Sequence, residues 1–167
     1  MGKENYMKKA VKMLQKIQIA IGGGFLLIFL LTVVFQMLSR YAGISATWTE
    51  DVSMYSFIWA VFMGAGAMVY ERAHFAFTSI SDMMKNEKAK KVLSIIISLI
   101  MLFFAVLMVY YGLQVTKQFW NYKWINIPEF KRGPTWLCLP LCGLTSAIYL
   151  VALIVEDISD LVKGGKN

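Results

Sequence analysis

Four stretches of this 167-residue chain contain no Asp, Glu, Lys, Arg or His, and together they cover more than half of it. They occupy residues 17–39, 52–70, 92–116 and 133–155, and are between 19 and 25 residues long. A helix of ~20 apolar residues crosses the ~30 Å hydrocarbon core of a bilayer, so each stretch is long enough to span. Within hydrocarbon every backbone N–H and C=O must be paired inside the protein. An unclosed set of segments achieves that only as helices. The expected fold is an all-α integral membrane protein, 1–167, with four transmembrane helices in a single membrane domain. The missing charges carry a second message. Ion and proton pathways are usually marked by ionisable groups inside the membrane, and these spans have none.

The net charge of +7 sits in the segments that flank the spans, which makes it a membrane-orienting signal and not a nucleic-acid footprint. Twelve Lys and Arg residues lie in the N-terminal arm, the 71–91 segment and the C-terminus, against five in the 40–51 and 117–132 loops. Positive residues favour the cytoplasmic side, so both termini are expected there. The basic start (Lys3, Lys8, Lys9, Lys12, Lys16) resembles a signal peptide, but the apolar stretch after it exceeds the usual ~7–15 residues. It is read as a retained helix. Cys138 and Cys142 lie one helical turn apart, without good disulfide geometry, and no further Cys/His pair completes a metal site. They are expected to pack as small hydrophobes.

The connecting segments have patterns of their own. In 74–85, Phe77, Ile80 and Met84 fall at helical spacing, with Ser81, Asp82 and Lys85 off that face. This is the pattern of a short helix lying in the membrane interface, with Asn86 and Glu87 opening the next span as cap and first-turn acid. The basic arm 1–16 repeats it, with a Tyr6, Ala10, Met13, Ile17 stripe beside Lys8, Lys9 and Lys12. Small residues on the second span (Ala60, Gly64, Ala67, with Gly66) and Gly22-Gly23-Gly24 in the first would permit close helix approach. Pro134 suits the first turn of the last helix, and Pro140 should kink it. The two outer loops are aromatic: Trp48 in one, and Phe119, Trp120, Tyr122, Trp124 and Phe130 in the other. Such residues form interfacial belts and also anchor protein docking.

No catalytic constellation is present. There is one histidine, His74, and no HExxH, GxSxG or phosphate-cradling glycine loop, so no enzyme activity and no cofactor are expected. Glu50 and Asp51 sit at the start of a helix, where they complement its dipole and could pair with Arg40 at the end of the preceding span.

These residues carry a resemblance. Gln36-x3-Arg40-Tyr41, Trp48-Thr49-Glu50-Asp51, Tyr55-x2-Ile58-Trp59 with Gly64, and His74-Phe75 follow one another as in the small membrane subunit of TRAP transporters, the DctQ-like family. Asp51 stands where that family often has a second Glu, Met54 where a basic residue is common, and Thr78 where an acidic one follows the His. The resemblance implies a non-catalytic subunit that scaffolds a much larger DctM-like membrane subunit, which binds substrate and sodium. A periplasmic substrate-binding protein would deliver an organic acid such as sialic acid or a C4-dicarboxylate, across a bacterial cytoplasmic membrane. The implied assembly residues are Gln36, Arg40, Trp48, Glu50, Asp51, Trp59, Gly64 and His74. Trp120, Tyr122, Trp124, Lys131 and Arg132 are candidates for docking the binding protein, and membrane lipids are the remaining partner. A stand-alone multidrug-type exporter would need an embedded carboxylate for proton exchange, and the spans lack one. An intramembrane enzyme is opposed by the missing catalytic groups.

Overall fold

The computed structural model describes residues 2–71 and 87–164, with side chains described over 8–71 and 89–162. The elements are α1 (Gly2–Tyr41), α2 (Trp48–Tyr70), α3 (Glu87–Gln118), a single turn α4 (Gly133–Trp136) and α5 (Cys138–Gly164). Four candidate membrane spans result, the last formed by α4 and α5 together. Among the described residues there is no strand, and the one β-bridge pairs Lys123 with Lys131. The expected interfacial helix over 74–85, with His74, lies outside the described residues, as does Asn86.

The basic arm does not form a separate element. It is the first part of α1, which runs unbroken for 40 residues. Nothing in Lys-Lys-Ala-Val-Lys-Met-Leu-Gln-Lys stops a helix, since all but Val are strong helix formers. At 1.5 Å per residue such a helix reaches ~60 Å, twice the hydrocarbon thickness. The face turned to the bundle is also not the expected stripe. Met13 and Ile17 are exposed, while Val11, Gln15 and Gln18 are buried.

Helix ends follow local chemistry. Gly43 adopts φ +72°, the Gly43 N–H donates to Arg40 O at 3.1 Å, and the Ile44 N–H donates to Ser39 O at 2.9 Å. These are the two bonds of a Schellman motif, and its left-handed residue is glycine for steric reasons. At the start of α2, Glu50 and Asp51 occupy the first turn, the favourable end for acids. Pro134 lies in the first turn of α4. The last span breaks at Leu137, three residues before Pro140. The proline has no N–H for Trp136 O, and its ring clashes with that carbonyl.

The helices form an open row and not a closed bundle. α1 packs along α2, α3 packs along α5, and contacts of α5 with α2 and, to a lesser extent, with α1 join the two pairs. The flanking helices bury little: 17% of the most apolar window of α1 and of α3, against 44% for the last span. The central core gathers Val11, Val69, Ala105, Tyr149 and Leu150.

Close packing within the row uses glycine at several positions: Gly66 of α2 faces Gln18 and Cys142, and Gly22, Gly112 and Gly143 face neighbouring backbone. A Cβ on Gly22 of α1 would lie 3.2 Å from Met63 Cβ and 3.4 Å from Gly64 N. On Gly112 of α3 it would lie 2.9 Å from Pro140 N, and on Gly143 of α5 it would lie 2.8 Å from Ala105 O. The expected Ala60/Gly64/Ala67 face is therefore used, but the glycine it needs is Gly22. A Cβ on Gly64 itself would meet nothing within 4 Å.

Candidate functional site

Gln36, Arg40, Trp48, Glu50, Asp51 and Tyr55 lie towards the end of the row where the α1–α2 and α3–α4 loops lie, Trp59 and Gly64 lie further along α2, and His74 is outside the described residues. Two aromatic contacts tie α1 to α2 along the spans. Trp59 stacks on Phe25 with ring centroids 5.1 Å apart, and Trp48 packs on Phe35 at 5.6 Å. Such pairs contribute ~0.5–1.5 kcal/mol beyond area burial, so both tryptophans hold this helix pair together.

Arg40 does not pair with Glu50 or Asp51. The two carboxylates have separate roles because they point in different directions. Asp51 is buried at 3% exposure, and its carboxylate accepts the backbone N–H of Asn126, across the row, at 2.6 Å. Glu50 stays exposed and lines an open cleft with Gln36, Ser39, Arg40 and Thr47. The turn that was expected to be held by an ion pair is held by backbone bonds around Gly43.

The α3–α4 loop is folded. The Trp124 N–H donates to Phe130 O at 3.0 Å and the Arg132 N–H to Tyr122 O at 2.7 Å, making a small hairpin around the Lys123–Lys131 bridge. Trp124 packs, tilted, against Tyr55 of α2 at 4.7 Å and stacks on Phe130 at 5.3 Å, and its indole N–H donates to Thr135 Oγ1 at 3.2 Å. Asp51 and Tyr55 thus present one helix face on which the loop is seated. The docking candidates divide accordingly. Trp124 and Arg132 are half-buried inside the loop, whereas Trp120, Tyr122 and Lys131 are exposed. Ile125 and Phe130 join the exposed surface, Ile125 having given no sequence signal beyond its hydrophobicity.

Below this end lies a polar seam that the spacing of residues did not reveal. The Tyr149 hydroxyl donates to Gln18 Oε1 at 2.7 Å. Gln15 Nε2 donates to Ala67 O at 3.2 Å and to Glu71 Oε1 at 2.7 Å. Interhelical bonds of this kind in membrane proteins are worth about 0.6–2 kcal/mol each. They use the Gln15 amide nitrogen, the Gln18 amide oxygen and the Tyr149 hydroxyl for helix packing, while Gln18 Nε2 is buried without a hydrogen-bond partner. Thr32 bonds within its own helix, to Ile28 O. Nearer the chain termini, Ser94 donates to the buried Asp157 at 2.7 Å, and Lys8–Glu156 and Lys91–Asp160 form exposed ion pairs. Among the described residues, no group of three or more His, Cys, Asp or Glu is placed to hold a metal ion. Cys138 and Cys142 are free thiols buried in α5.

The family model for the DctQ component of tripartite ATP-independent periplasmic transporters matches residues 28–160. The chain belongs to the DctQ family. It is thus a multi-pass membrane protein and the small membrane subunit of a TRAP transporter, a transporter component and not a member of an enzyme family. The match reaches all four spans, and with them both sides of the open cleft and the whole of the seated loop. Comparison with curated proteins gives no match.

Proposed function

We propose that this DctQ subunit is a scaffold. It would hold a DctM-like large subunit in a bacterial cytoplasmic membrane and take no part in binding substrate or sodium. The transported compound would be an organic acid, sialic acid or a C4-dicarboxylate, imported with sodium and delivered by a periplasmic binding protein. The observation that carries this reading is the open row of helices. Its two flanks, α1 and α3, leave most of their large apolar side chains exposed, and the stretches 17–39, 52–70, 92–116 and 133–155 within its spans hold no Asp, Glu, Lys, Arg or His. A protein with that surface supports a neighbour more readily than it moves an ion. The exposed Trp120, Tyr122, Ile125, Phe130 and Lys131 on the seated loop are the proposed contact for the binding protein, since exposed aromatics on a rigid frame suit docking. Gln36, Arg40, Trp48, Glu50, Asp51, Trp59, Gly64 and His74 are proposed to serve assembly.

A pull-down of the tagged chain from native membranes tests this. Co-purification of a much larger hydrophobic protein is expected, and its absence from mildly solubilised membranes would contradict the scaffold. The proposed orientation places both termini in the cytoplasm, following the Lys/Arg distribution. A cysteine introduced at Ile125, 73% exposed, is expected to react with an impermeant reagent added outside, and one at Lys166 is not. The reverse labelling pattern would invert the topology and move the docking surface to the wrong side.

A further inference from the structure

We infer that the cleft between the end of α1 and the start of α2 holds the headgroup of a zwitterionic phospholipid, its phosphate on Arg40 and its ammonium on Glu50. The cleft is lined by Gln36, Ser39, Arg40, Thr47 and Glu50, with the Gly43 turn as its floor. Its one cation and one anion are both exposed and do not pair with each other. Each sits at the helix end whose dipole it complements, Arg40 in the last turn of α1 and Glu50 in the first turn of α2. The two charged groups line the same cleft without forming an ion pair. Asp51, the adjacent carboxylate, is committed to the Asn126 N–H and does not enter the cleft.

This charge pattern selects the ligand class. A lone anion, whether phosphate or the transported acid, would satisfy Arg40 and be repelled by Glu50. A hard cation wants several converging oxygen ligands, and here it would meet a single carboxylate facing a guanidinium. A zwitterion cancels both charges at once, and Arg is the side chain best suited to phosphate. Location supplies the lipid. The cleft opens where two spans end, at the level of the headgroups, and the adjoining turns of α1 expose Val34, Met37, Leu38 and Tyr41. These offer a path for acyl chains running down from the bound headgroup.

The test incorporates the full chain, with its co-purifying partner, into nanodiscs of equimolar phosphatidylethanolamine and phosphatidylglycerol. It then measures by native mass spectrometry the lipids that remain bound. Phosphatidylethanolamine is expected to be enriched roughly tenfold, the scale of one charge-assisted hydrogen bond. Glu50→Gln should invert the preference towards phosphatidylglycerol, because the repulsion is removed while Arg40 remains. Arg40→Gln should abolish retention of both, and Arg40→Lys should keep the preference. Melting temperatures confirm that each variant is folded. Equal retention of the two lipids by the native chain, or a preference unaffected by Glu50→Gln, would overturn the inference. Displacement of the lipid by inorganic phosphate alone would also overturn it, since the site would then bind a free anion. Direct cross-linking of Arg40 to the large subunit with no lipid retained would overturn it as well, and would leave the assembly role proposed for Arg40 to a protein contact.

Discussion

Gly143→Leu is expected to abolish stable packing of α3 on α5 and to leave little folded subunit. A side chain at this position has nowhere to go. Its Cβ alone would lie 2.8 Å from Ala105 O, 2.9 Å from Val109 Cγ2 and 3.0 Å from Val109 N. Two of these are backbone atoms of the neighbouring helix, which yield only if the whole helix moves. Gly112 makes the reciprocal approach, against Pro140, so the two helices meet backbone to backbone along this stretch. Close approach of this kind is a main source of helix association where lipid offers no hydrophobic driving force. Even Gly143→Ala should cost ~1–3 kcal/mol by overpacking. Gly64→Leu is the internal control: its Cβ direction is open, and the isolated subunit should change by less than about 0.5 kcal/mol. Thermal melting of the purified subunit in detergent separates the two. Equal melting temperatures for Gly143→Leu and the native chain would refute the assigned α3–α5 crossing.

Asp51→Ala is expected to release the 119–132 loop from α2. The carboxylate is buried and accepts the Asn126 N–H at 2.6 Å. Its removal leaves that half-buried donor unsatisfied, at about 1–3 kcal/mol. The Tyr55–Trp124 and Trp124–Phe130 ring contacts depend on the same seating, so the loss should spread through the hairpin. Trypsin cleavage at Lys123 and Lys131 provides the measurement. Cleavage should accelerate by roughly one to two orders of magnitude. Asp51→Asn should fall between, because its amide oxygen still accepts the bond without the charge. A cleavage rate in Asp51→Ala equal to that of the native chain would mean that the aromatic contacts alone hold the loop.

The long helices were legible in the sequence because hydrocarbon imposes one demand, paired backbone over a fixed thickness, and four charge-free stretches answer it. Pro134 and Pro140 were legible for the same kind of reason, each acting on its own helix. Contacts between helices were not. Gly112 and Gly143 lie on different spans, and no spacing within either one reports that their backbones meet. The role of Asp51 was hidden because its partner is a backbone N–H 75 residues away, and Asn126 shows no charge to match. Proximity in sequence favoured Arg40 as the partner, but the glycine turn at Gly43 already fixes that loop without it. The basic arm departs from its sequence pattern for a local reason. Nothing there ends a helix, so the arm continues into the first span and turns Val11, Gln15 and Gln18 inward in place of the apolar stripe.

Sodium dependence and substrate affinity of the reconstituted transporter test the scaffold most directly. The informative variants replace, one at a time, five of the polar residues of the spans: Gln18, Thr32, Gln36, Ser56 and Ser98. Gln18 bonds to Tyr149 and Thr32 to its own helix, and a scaffold requires none of the five to serve a transported ion or acid. Assembled complexes of all five variants should therefore show the native sodium dependence and the native substrate affinity, and any loss in Gln18→Leu should appear as reduced assembly. A large and selective change in sodium dependence or affinity in any one of them, with assembly intact, would place this subunit in the transport path and contradict the scaffold.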